Sequence, residues 1–370
     1  MKRLLKSHIA LLAWRLALLY AVLAICRAIF WRYNYAGIGP LADAELPALA
    51  RGALLFDTVS VLYANALLIV LSLIPLHLRE RRWWQRMLYF YYVVVNALLV
   101  VAVNLGDAVY FRYTQKHFTA EEIGLIALLA LAGGRKARPE PLCRRPLCYY
   151  GGGTVLLVVA ALLSVAGMRG GVTRMTRPVT LSNATLYASD NARANLILSN
   201  PFCILRTVGS GGKINYERYF APEELDGIYT PVHCPDSVGT APLEGRNVVV
   251  FVMESMSAEH SAHLHPELYA DRQVKGYTPF LDSLMQAGYC FERMYANGTR
   301  SIQALPAVLG SIPSFKTPFV LMPQALAPTR QLPRILRDKG YATAFFCGSA
   351  AGSMGFGAYA RSAGIERLYS

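Results

Sequence analysis

Residues 247–255 read NVVVFVMES, and residues 295–301 read YANGTRS. Within the first segment, Val248–Met253 form a continuous apolar run without alternation, which is typical of a strand buried on both faces of a parallel sheet. Glu254 ends this run, and Thr299 follows a predicted turn at Asn297-Gly298. A carboxylate and a hydroxyl at neighbouring strand ends can share one divalent metal, with the hydroxyl as nucleophile towards phosphorus.

Strand and helix signals alternate around these two segments. Thr278-Pro279 is a helix start signal, and Gly288 is a stop signal. The later pattern predicts a strand over 289–295, a helix from Thr299, a helix over 329–339 and a strand over 341–347. This alternation predicts an α/β layer fold, in which ligands gather at the carboxyl ends of strands.

The first half of the chain has the composition of a membrane protein. Hydrophobic residues make up 54% of the sequence and charged residues 16%, which predicts an integral membrane part beside a globular part. About five spans are predicted, over 9–26, 53–76, 87–103, 123–134 and 151–168. The fourth is only about half the usual length. No small-residue cleavage site follows the first run, so it is predicted to be a retained helix.

Basic residues set the predicted topology. The net charge is +14, and much of the Lys and Arg flanks apolar segments, as in the loops 79–86 and 135–145. The positive-inside rule places both loops and the N-terminus in the cytoplasm and residues after 169 outside. The expected location is therefore the inner (plasma) membrane, multi-pass. Nucleic-acid binding is not expected, because no arginine-rich stretch is interleaved with aromatics.

The predicted organisation is a transmembrane domain over 1–168, an extracytoplasmic connector over 169–243 and a globular domain over 244–370. In the connector, residues 182–185 and 191–195 predict capped short helices. Asp57, in the second span, is predicted to snorkel or to pair with Arg51, with a proton relay as the alternative. The oligomeric state is not predicted.

Each candidate site residue also has a purely structural interpretation. Glu254 can cap the next turn, and Thr299 can be a helix N-cap. Asn297-Gly298 lets the backbone approach a phosphate closely, and Arg300 can donate to it or remain solvated. Three nearby histidines fit no zinc spacing and are predicted to lie on a loop: His260, His263 and His265. The seven cysteines contain no Cys-x-x-Cys pair.

A membrane-embedded first half, VVVFVMES at 248–255, TPFLDSL at 278–284 and YANGTRS at 295–301 together resemble the lipoteichoic acid synthase type of phosphoglycerol transferase. That family lies in the sulfatase-like branch of the alkaline phosphatase superfamily. The resemblance implies one divalent cation, Mn²⁺, held by Glu254 and Thr299. It implies Thr299 as nucleophile towards a membrane phospholipid, with Asn297 and Arg300 binding substrate and a hydroxyl acceptor completing the transfer.

The chain departs from this family's pattern in three places. The resemblance implies an Asp-His pair beyond the first α/β units, which is not found before Ser370. It also implies a histidine after a Phe-Phe strand, where this chain has Phe345-Phe346-Cys347-Gly348. The Arg/Pro-rich segment 134–148 also differs. We therefore expect an incomplete domain with weak metal binding and no turnover. The alternatives are a phosphoethanolamine transferase, a sulfatase-like phosphodiester hydrolase, or a non-catalytic membrane protein with a truncated binding domain.

The same resemblance disfavours hydrolysis of sulfate esters. Arylsulfatases of this superfamily need Cys or Ser in a Cys-x-Pro-x-Arg setting. The sequence from Thr299 to Ile302 does not supply it.

Overall fold

The computed structural model describes residues 7–98, 120–134, 141, 143, 145–173, 178–207, 219–230, 245–271, 276–291, 294–326, 329–349 and 353–370. The chain divides into two compact units, one of residues 1–213 with 318–370 and one of residues 214–317. The domain boundaries at 168/169 and 243/244 remain predictions.

The first unit begins with long apolar helices. They are α1 (His8–Tyr33), the short α2 (Tyr35–Ile38), α3 (Leu46–Leu73), α4 (Arg82–Asn96), α5 (Ala120–Gly133) and α6 (Gly153–Arg169). A 3₁₀ turn at His77–Glu80 precedes α4, and a π-helical turn at Leu147–Gly152 leads into α6. Within the described residues, three helices are long and apolar enough to cross a membrane: His8–Tyr33, Leu46–Leu73 and Leu147–Arg169.

The predicted count of about five spans is not confirmed. The spans over 9–26, 53–76 and 151–168 fall on the three long helices. The span predicted over 87–103 begins in α4, but residues 99–103 lie outside the described part. The fourth forms α5, whose 14 residues extend about 21 Å, short of a hydrocarbon core of about 30 Å.

Two side chains of α1 donate hydrogen bonds to the last carbonyls of the short helix α5. Arg15 is buried and donates from Nε to the carbonyl of Gly133 at 3.3 Å. Trp14 donates from Nε1 to the carbonyl of Ala132 at 2.9 Å. The final carbonyls of a helix have no partners of their own, and a cation is favourable there. The two side chains of α1 therefore supply hydrogen-bond donors to carbonyls at the C-terminal end of α5.

Close packing and polar pairs hold the long helices together. A Cβ at Gly167 of α6 would lie 2.4 Å from the Leu62 side chain of α3, so glycine lets these two helices approach. Asn65 and Asn96, both fully buried, exchange amide hydrogen bonds between α3 and α4 at 2.9 and 3.0 Å. Such paired amides fix the rotation of one apolar helix against another.

Short helices of the connector cover the end of this bundle. They are a 3₁₀ turn at Leu181–Leu186, α7 (Asn191–Ile197) and α8 (Asn200–Thr207). The predicted capped helices are confirmed, because Thr180 and Asn183 form a capping box and the Asp190 side chain accepts from the Arg193 N–H. A further helix, α9 (Pro222–Ile228), belongs to the second unit.

An ion pair fixes the connector to the bundle. Arg27 of α1 donates two hydrogen bonds to the carboxylate of Asp57 in α3, at 2.7 and 3.0 Å. Its Nε donates to the carbonyl of Leu196 in α7 at 2.6 Å. The predicted partner, Arg51, was wrong because it lies six residues before Asp57, about 240° around the same helix.

The remaining elements lie in the region from residue 246 to the end. The helices are α10 (Pro279–Ala287), α11 (Ala304–Gly310), α12 (Leu332–Asp338) and α13 (Phe356–Ser362). The 3₁₀ turns are Ala258–His260, Pro266–Leu268, Ser301–Gln303, Phe319–Leu321, Pro323–Leu326 and Ser353–Gly355. The predicted helix between Thr278 and Gly288 is confirmed, with Thr278 as N-cap and Gly288 as C-cap.

The described residues contain one sheet, formed by strands β1 (Ala344–Phe346) and β2 (Arg367–Tyr369). They pair in parallel, with Ala344 opposite Arg367 and Phe346 opposite Tyr369. Because α13 lies between them in the chain, they form a βαβ unit. The predicted strand over 341–347 is therefore confirmed in its central part.

Two other strand predictions are not confirmed. Residues 247–253 form no helix or strand, and the side chains of Val248–Met253 are 49–83% exposed. Residues 289–291 and 294–295 also carry no strand, and 292–293 lie outside the described residues. An apolar run becomes a strand only when a distant segment pairs with it, and the run itself does not specify that segment.

The βαβ unit packs on the connector within the first unit. The Thr185 hydroxyl donates to the carbonyl of Ala358 in α13 at 2.7 Å. Asn191 donates to the hydroxyl of Ser362 at 3.2 Å, and that hydroxyl donates to the carbonyl of Ala325 at 2.9 Å. A continuous set of contacts therefore runs from α1 and α3 through the connector to α13.

Candidate functional site

Glu254 lies directly after the apolar segment Val248–Met253 and is exposed. The next residue, Ser255, has φ 53°, in the left-handed region that residues other than glycine rarely adopt. The Glu254 carboxylate has one contact in the described part, from the Ser255 hydroxyl at 3.5 Å. The chain thus turns sharply after Glu254, and such a strained residue is a recognised feature of functional sites.

Thr299 lies on a loop that is fixed by the side chain of Gln303. The Gln303 Oε1 atom accepts hydrogen bonds from the backbone N–H groups of Thr299 and Arg300, both at 3.1 Å. Asn297 Oδ1 accepts from the backbone N–H of Ser314. Gln303 is buried, whereas Asn297, Thr299 and Arg300 are exposed. The backbone of the loop is therefore fixed by hydrogen bonds to the buried Gln303 side chain, while the side chains of Asn297, Thr299 and Arg300 are exposed to solvent.

The Thr299 hydroxyl and the Arg300 guanidinium form no hydrogen bond within the described residues. The hydroxyl is thus not used as a helix cap. A 3₁₀ turn at Ser301–Gln303 runs into α11, and its cap is the Gln303 side chain. An exposed hydroxyl on a fixed backbone, one residue from a cation, can attack an electrophilic centre such as phosphorus.

Position 298 has room only for glycine, because the side chains of Ser314 and Gln303 pack closely against it. A Cβ at this position would lie 2.3 Å from Ser314 Oγ and 2.6 Å from Gln303 Oε1. We expect Gly298→Ala to displace Gln303, to cost roughly 1–3 kcal/mol of stability, and to speed hydrogen exchange at the Thr299 and Arg300 amides. Gly227→Ala is the matched control, because a Cβ there has no neighbour within 4 Å. Unchanged exchange in Gly298→Ala would contradict the role of this packing.

The structure brings together Asn297, Thr299 and Arg300 but records no contact between this loop and Glu254. In the described part, no group of three or more His, Cys, Asp or Glu side chains could hold a metal ion. Glu254 and Thr299 offer two oxygens of the kind that hard divalent cations prefer. These two alone do not form a complete metal site.

The three histidines have local partners instead. His265 Nδ1 lies 2.7 Å from Glu267 Oε1, and this bond lowers the pKa of Glu267. The His260 ring packs edge-on against Tyr277, with ring centroids 5.9 Å apart. They lie on 3₁₀ turns and loops, as predicted.

A buried carboxylate, Asp282, fixes the segment after Glu254. The Ser261 hydroxyl donates to Asp282 Oδ1 at 2.5 Å, and the Ala262 N–H donates to Oδ2 at 3.2 Å. The Thr278 hydroxyl also donates to Oδ1, at 3.2 Å. The Ser261 bond is the main cause that lowers the pKa of the Asp282 carboxyl below its ordinary value.

This pKa shift predicts an acid sensitivity. Because the folded pKa is depressed, the stabilisation is present above the unfolded pKa of about 3.9 and is lost as pH falls through the lower folded pKa. We expect Ser261→Ala to raise the Asp282 pKa, so that the peptides covering 257–271 and 276–287 lose protection from hydrogen exchange at a higher pH. An identical pH profile in the variant would contradict this assignment.

Sequence reasoning missed Gln303, Ser314 and Ser255. For Gln303 a signal exists, since glutamine three residues after a helix N-cap is a capping-box pattern. The buried Ser314 hydroxyl, which has no hydrogen-bond partner among the described residues, and the left-handed Ser255 depend on tertiary packing. No local pattern predicts them.

One comparison with known proteins covers the part of the chain that contains this loop. Neither the curated proteins nor the solved structures give a match. The family model described as Sulfatase matches residues 246–370, about a third of the chain. This match includes Glu254, the Thr299 loop and the βαβ unit. Residues 246–370 are thus similar to the sulfatase family, and apolar helices suited to membrane anchoring precede them in the chain.

Proposed function

We propose that the protein is a membrane-anchored, metal-dependent phosphoalcohol transferase that acts on a phospholipid headgroup through Thr299. The observation that carries the proposal is the free, exposed Thr299 hydroxyl on a backbone fixed by Gln303, inside a sulfatase-like domain. The apolar helices of the same chain support a membrane substrate, because tethering raises the effective concentration of a lipid headgroup at the site.

In the proposed reaction, the Thr299 oxygen attacks the phosphorus of a phosphodiester such as phosphatidylglycerol. The new bond joins Thr299 Oγ1 to phosphorus, and the bond from phosphorus to the diacylglycerol oxygen breaks. The hydroxyl proton ends on the diacylglycerol that leaves, and the threonine carries the phosphoalcohol. An acceptor hydroxyl, or water, then attacks the same phosphorus and regenerates Thr299.

Two further side chains have roles in the proposal. In the proposal Arg300 pairs with non-bridging phosphate oxygens. Asn297 supports the loop by accepting a hydrogen bond from the backbone N–H of Ser314. Members of the sulfatase family are generally metal-dependent, and we assign Glu254 and Thr299 as two ligands of one divalent cation, Mn²⁺. A bound cation would lower the pKa of the hydroxyl and polarise the phosphoryl group.

A transfer assay on the full-length protein tests the proposal. Membranes receive phosphatidylglycerol or phosphatidylethanolamine labelled in the headgroup, and both diacylglycerol release and label transfer are measured with Mn²⁺ or with a chelator. We expect diacylglycerol release that requires the metal and no cleavage of an aryl sulfate. Release without label transfer would indicate a phosphodiester hydrolase, and cleavage of the aryl sulfate alone would overturn the proposal.

The absence of a complete metal cluster among the described residues favours one alternative of another class, a non-catalytic membrane protein with a binding domain. The same assay distinguishes it. That alternative predicts no diacylglycerol release above the background of membranes that lack the protein, with or without Mn²⁺.

A further inference from the structure

The start of α4 carries positive charges in an arrangement that is unfavourable for an isolated helix. Arg81 is the N-cap and Arg82 the first residue, and the first turn contains no acid. Arg82 and Arg86 are both exposed and stand four residues apart, on one face of the helix. Like charges at this spacing repel each other, and cations near a helix N-terminus oppose the helix dipole. We call Arg81, Arg82 and Arg86 the basic patch.

Three residues before Arg82 in the chain, Arg79 is buried and has no carboxylate partner among the described residues. Arg79 is 4% exposed, and its guanidinium lies 4.5 Å from the centre of the Tyr149 ring. Its Nη1 lies 3.3 Å from Nε2 of His8 and donates to the carbonyl of Leu73 at 3.4 Å. Its Nε is buried and has no hydrogen-bond partner among the described residues. A buried positive charge without a counter-ion is costly.

The nearest acid in the sequence does not neutralise these arginines. Glu80 accepts a hydrogen bond from the Tyr149 hydroxyl at 3.0 Å and lies 3.7 Å from His77 Nδ1. Among the described residues, no ion pair joins Glu80 to Arg79 or to the basic patch. The cluster therefore keeps a local excess of positive charge.

The patch also lies where phospholipid headgroups are expected. It follows Leu73, the last residue of the long apolar helix α3. Trp83 is 51% exposed, and Trp84 donates from Nε1 to the carbonyl of Leu71 at 3.2 Å. Tryptophans and arginines next to the end of a membrane helix are typical of the interface between hydrocarbon and water.

We propose that the basic patch binds the phosphate of an anionic phospholipid, with Trp83 in contact with its glycerol and upper acyl region. One phosphate diester between Arg82 and Arg86 offsets the repulsion between their charges and supplies the negative charge that a helix N-terminus favours. Its negative charge also offsets the positive charge of Arg79. By the predicted topology this lipid lies in the inner leaflet. The site uses none of the Thr299 loop, so it is separate from the proposed reaction.

The test uses the full chain in a neutral detergent and needs no enzymatic activity. Native mass spectrometry measures binding of phosphatidylglycerol and, separately, of phosphatidylcholine. We expect phosphatidylglycerol to bind in preference, and Arg82→Gln/Arg86→Gln to weaken its tightest binding by roughly 10- to 30-fold. Glutamine preserves helix propensity, and both side chains are exposed, so folding should be unchanged.

The control variant is Arg32→Gln/Arg51→Gln, which removes two exposed arginines from α1 and α3. We expect its affinity to stay within about twofold of the wild type, because neither arginine belongs to the basic patch and the attraction between a basic residue and a lipid phosphate falls off within a Debye length. Equal loss in both variants, or equal binding of the two lipids, would overturn the proposal. Competition by inorganic phosphate at the lipid's own concentration would also overturn it, because the ligand would then be free phosphate.

Discussion

Replacing Thr299 by alanine is expected to lower headgroup transfer by about 10⁴-fold or more, because the reaction loses its nucleophile. The loop should survive this change. Its backbone bonds to Gln303 come from the N–H groups of Thr299 and Arg300, and the Thr299 hydroxyl makes no bond within the described residues. The fold and the binding of lipid should therefore be unaffected, and the loss should appear in kcat.

Two control variants make this expectation specific. Thr299→Ser keeps a hydroxyl at the same place and should retain measurable transfer. Thr317→Ala removes another exposed threonine of the same unit and should leave transfer unchanged. Diacylglycerol release by Thr299→Ala at a rate near that of the wild type would show that Thr299 is not the nucleophile.

Replacing Asp57 by leucine is expected to be the most destabilising single change in the membrane helices, at about 3–5 kcal/mol. The Asp57 side chain is 5% exposed and the Arg27 side chain 20%. Without the carboxylate, the Arg27 guanidinium keeps only its bonds to the carbonyls of Leu196 and Ile197. A poorly exposed cation would then lack its counter-charge, and the connector would lose one of its attachments to α1 and α3.

Thermal unfolding in detergent, together with hydrogen exchange over α7 and α8, measures this effect. The double variant Arg27→Met/Asp57→Leu should recover most of the lost stability, because it removes both charges. Asp43→Leu, at an exposed aspartate before α3, should have little effect. If Asp57→Leu and Asp43→Leu lose similar stability, the ion pair does not hold the connector in place.

Local signals in the sequence predicted local structure well. The Thr278-Pro279 start and the Gly288 stop gave α10 within a residue at each end, because capping and proline chemistry act within one turn. The capped helices of the connector followed in the same way. The apolar runs of α1, α3 and α6 were also recognisable, because bilayer thickness sets their length.

Features that depend on distant contacts were missed or predicted wrongly. The run Val248–Met253 has the composition of a buried strand, yet its described residues have no strand partner. Asp57 pairs with Arg27, which lies on another helix. Both outcomes depend on which segments meet in space, and one sequence does not contain that information. For the site, Thr299 and its neighbours remain a prediction from the sequence, and the structure adds the buried contacts of Gln303 and Ser314 beneath the loop.

The most direct test of the central claim is detection of the covalent intermediate on Thr299. Trypsin cleaves after Arg293 and Arg300 and releases the peptide MYANGTR, residues 294–300. Protein taken from membranes that contain phosphatidylglycerol, and quenched in acid during turnover, is analysed by mass spectrometry of this peptide. We expect a phosphoglycerol group on Thr299 that is absent from Thr299→Ala. Turnover without that group, or with the group on another residue, would contradict it.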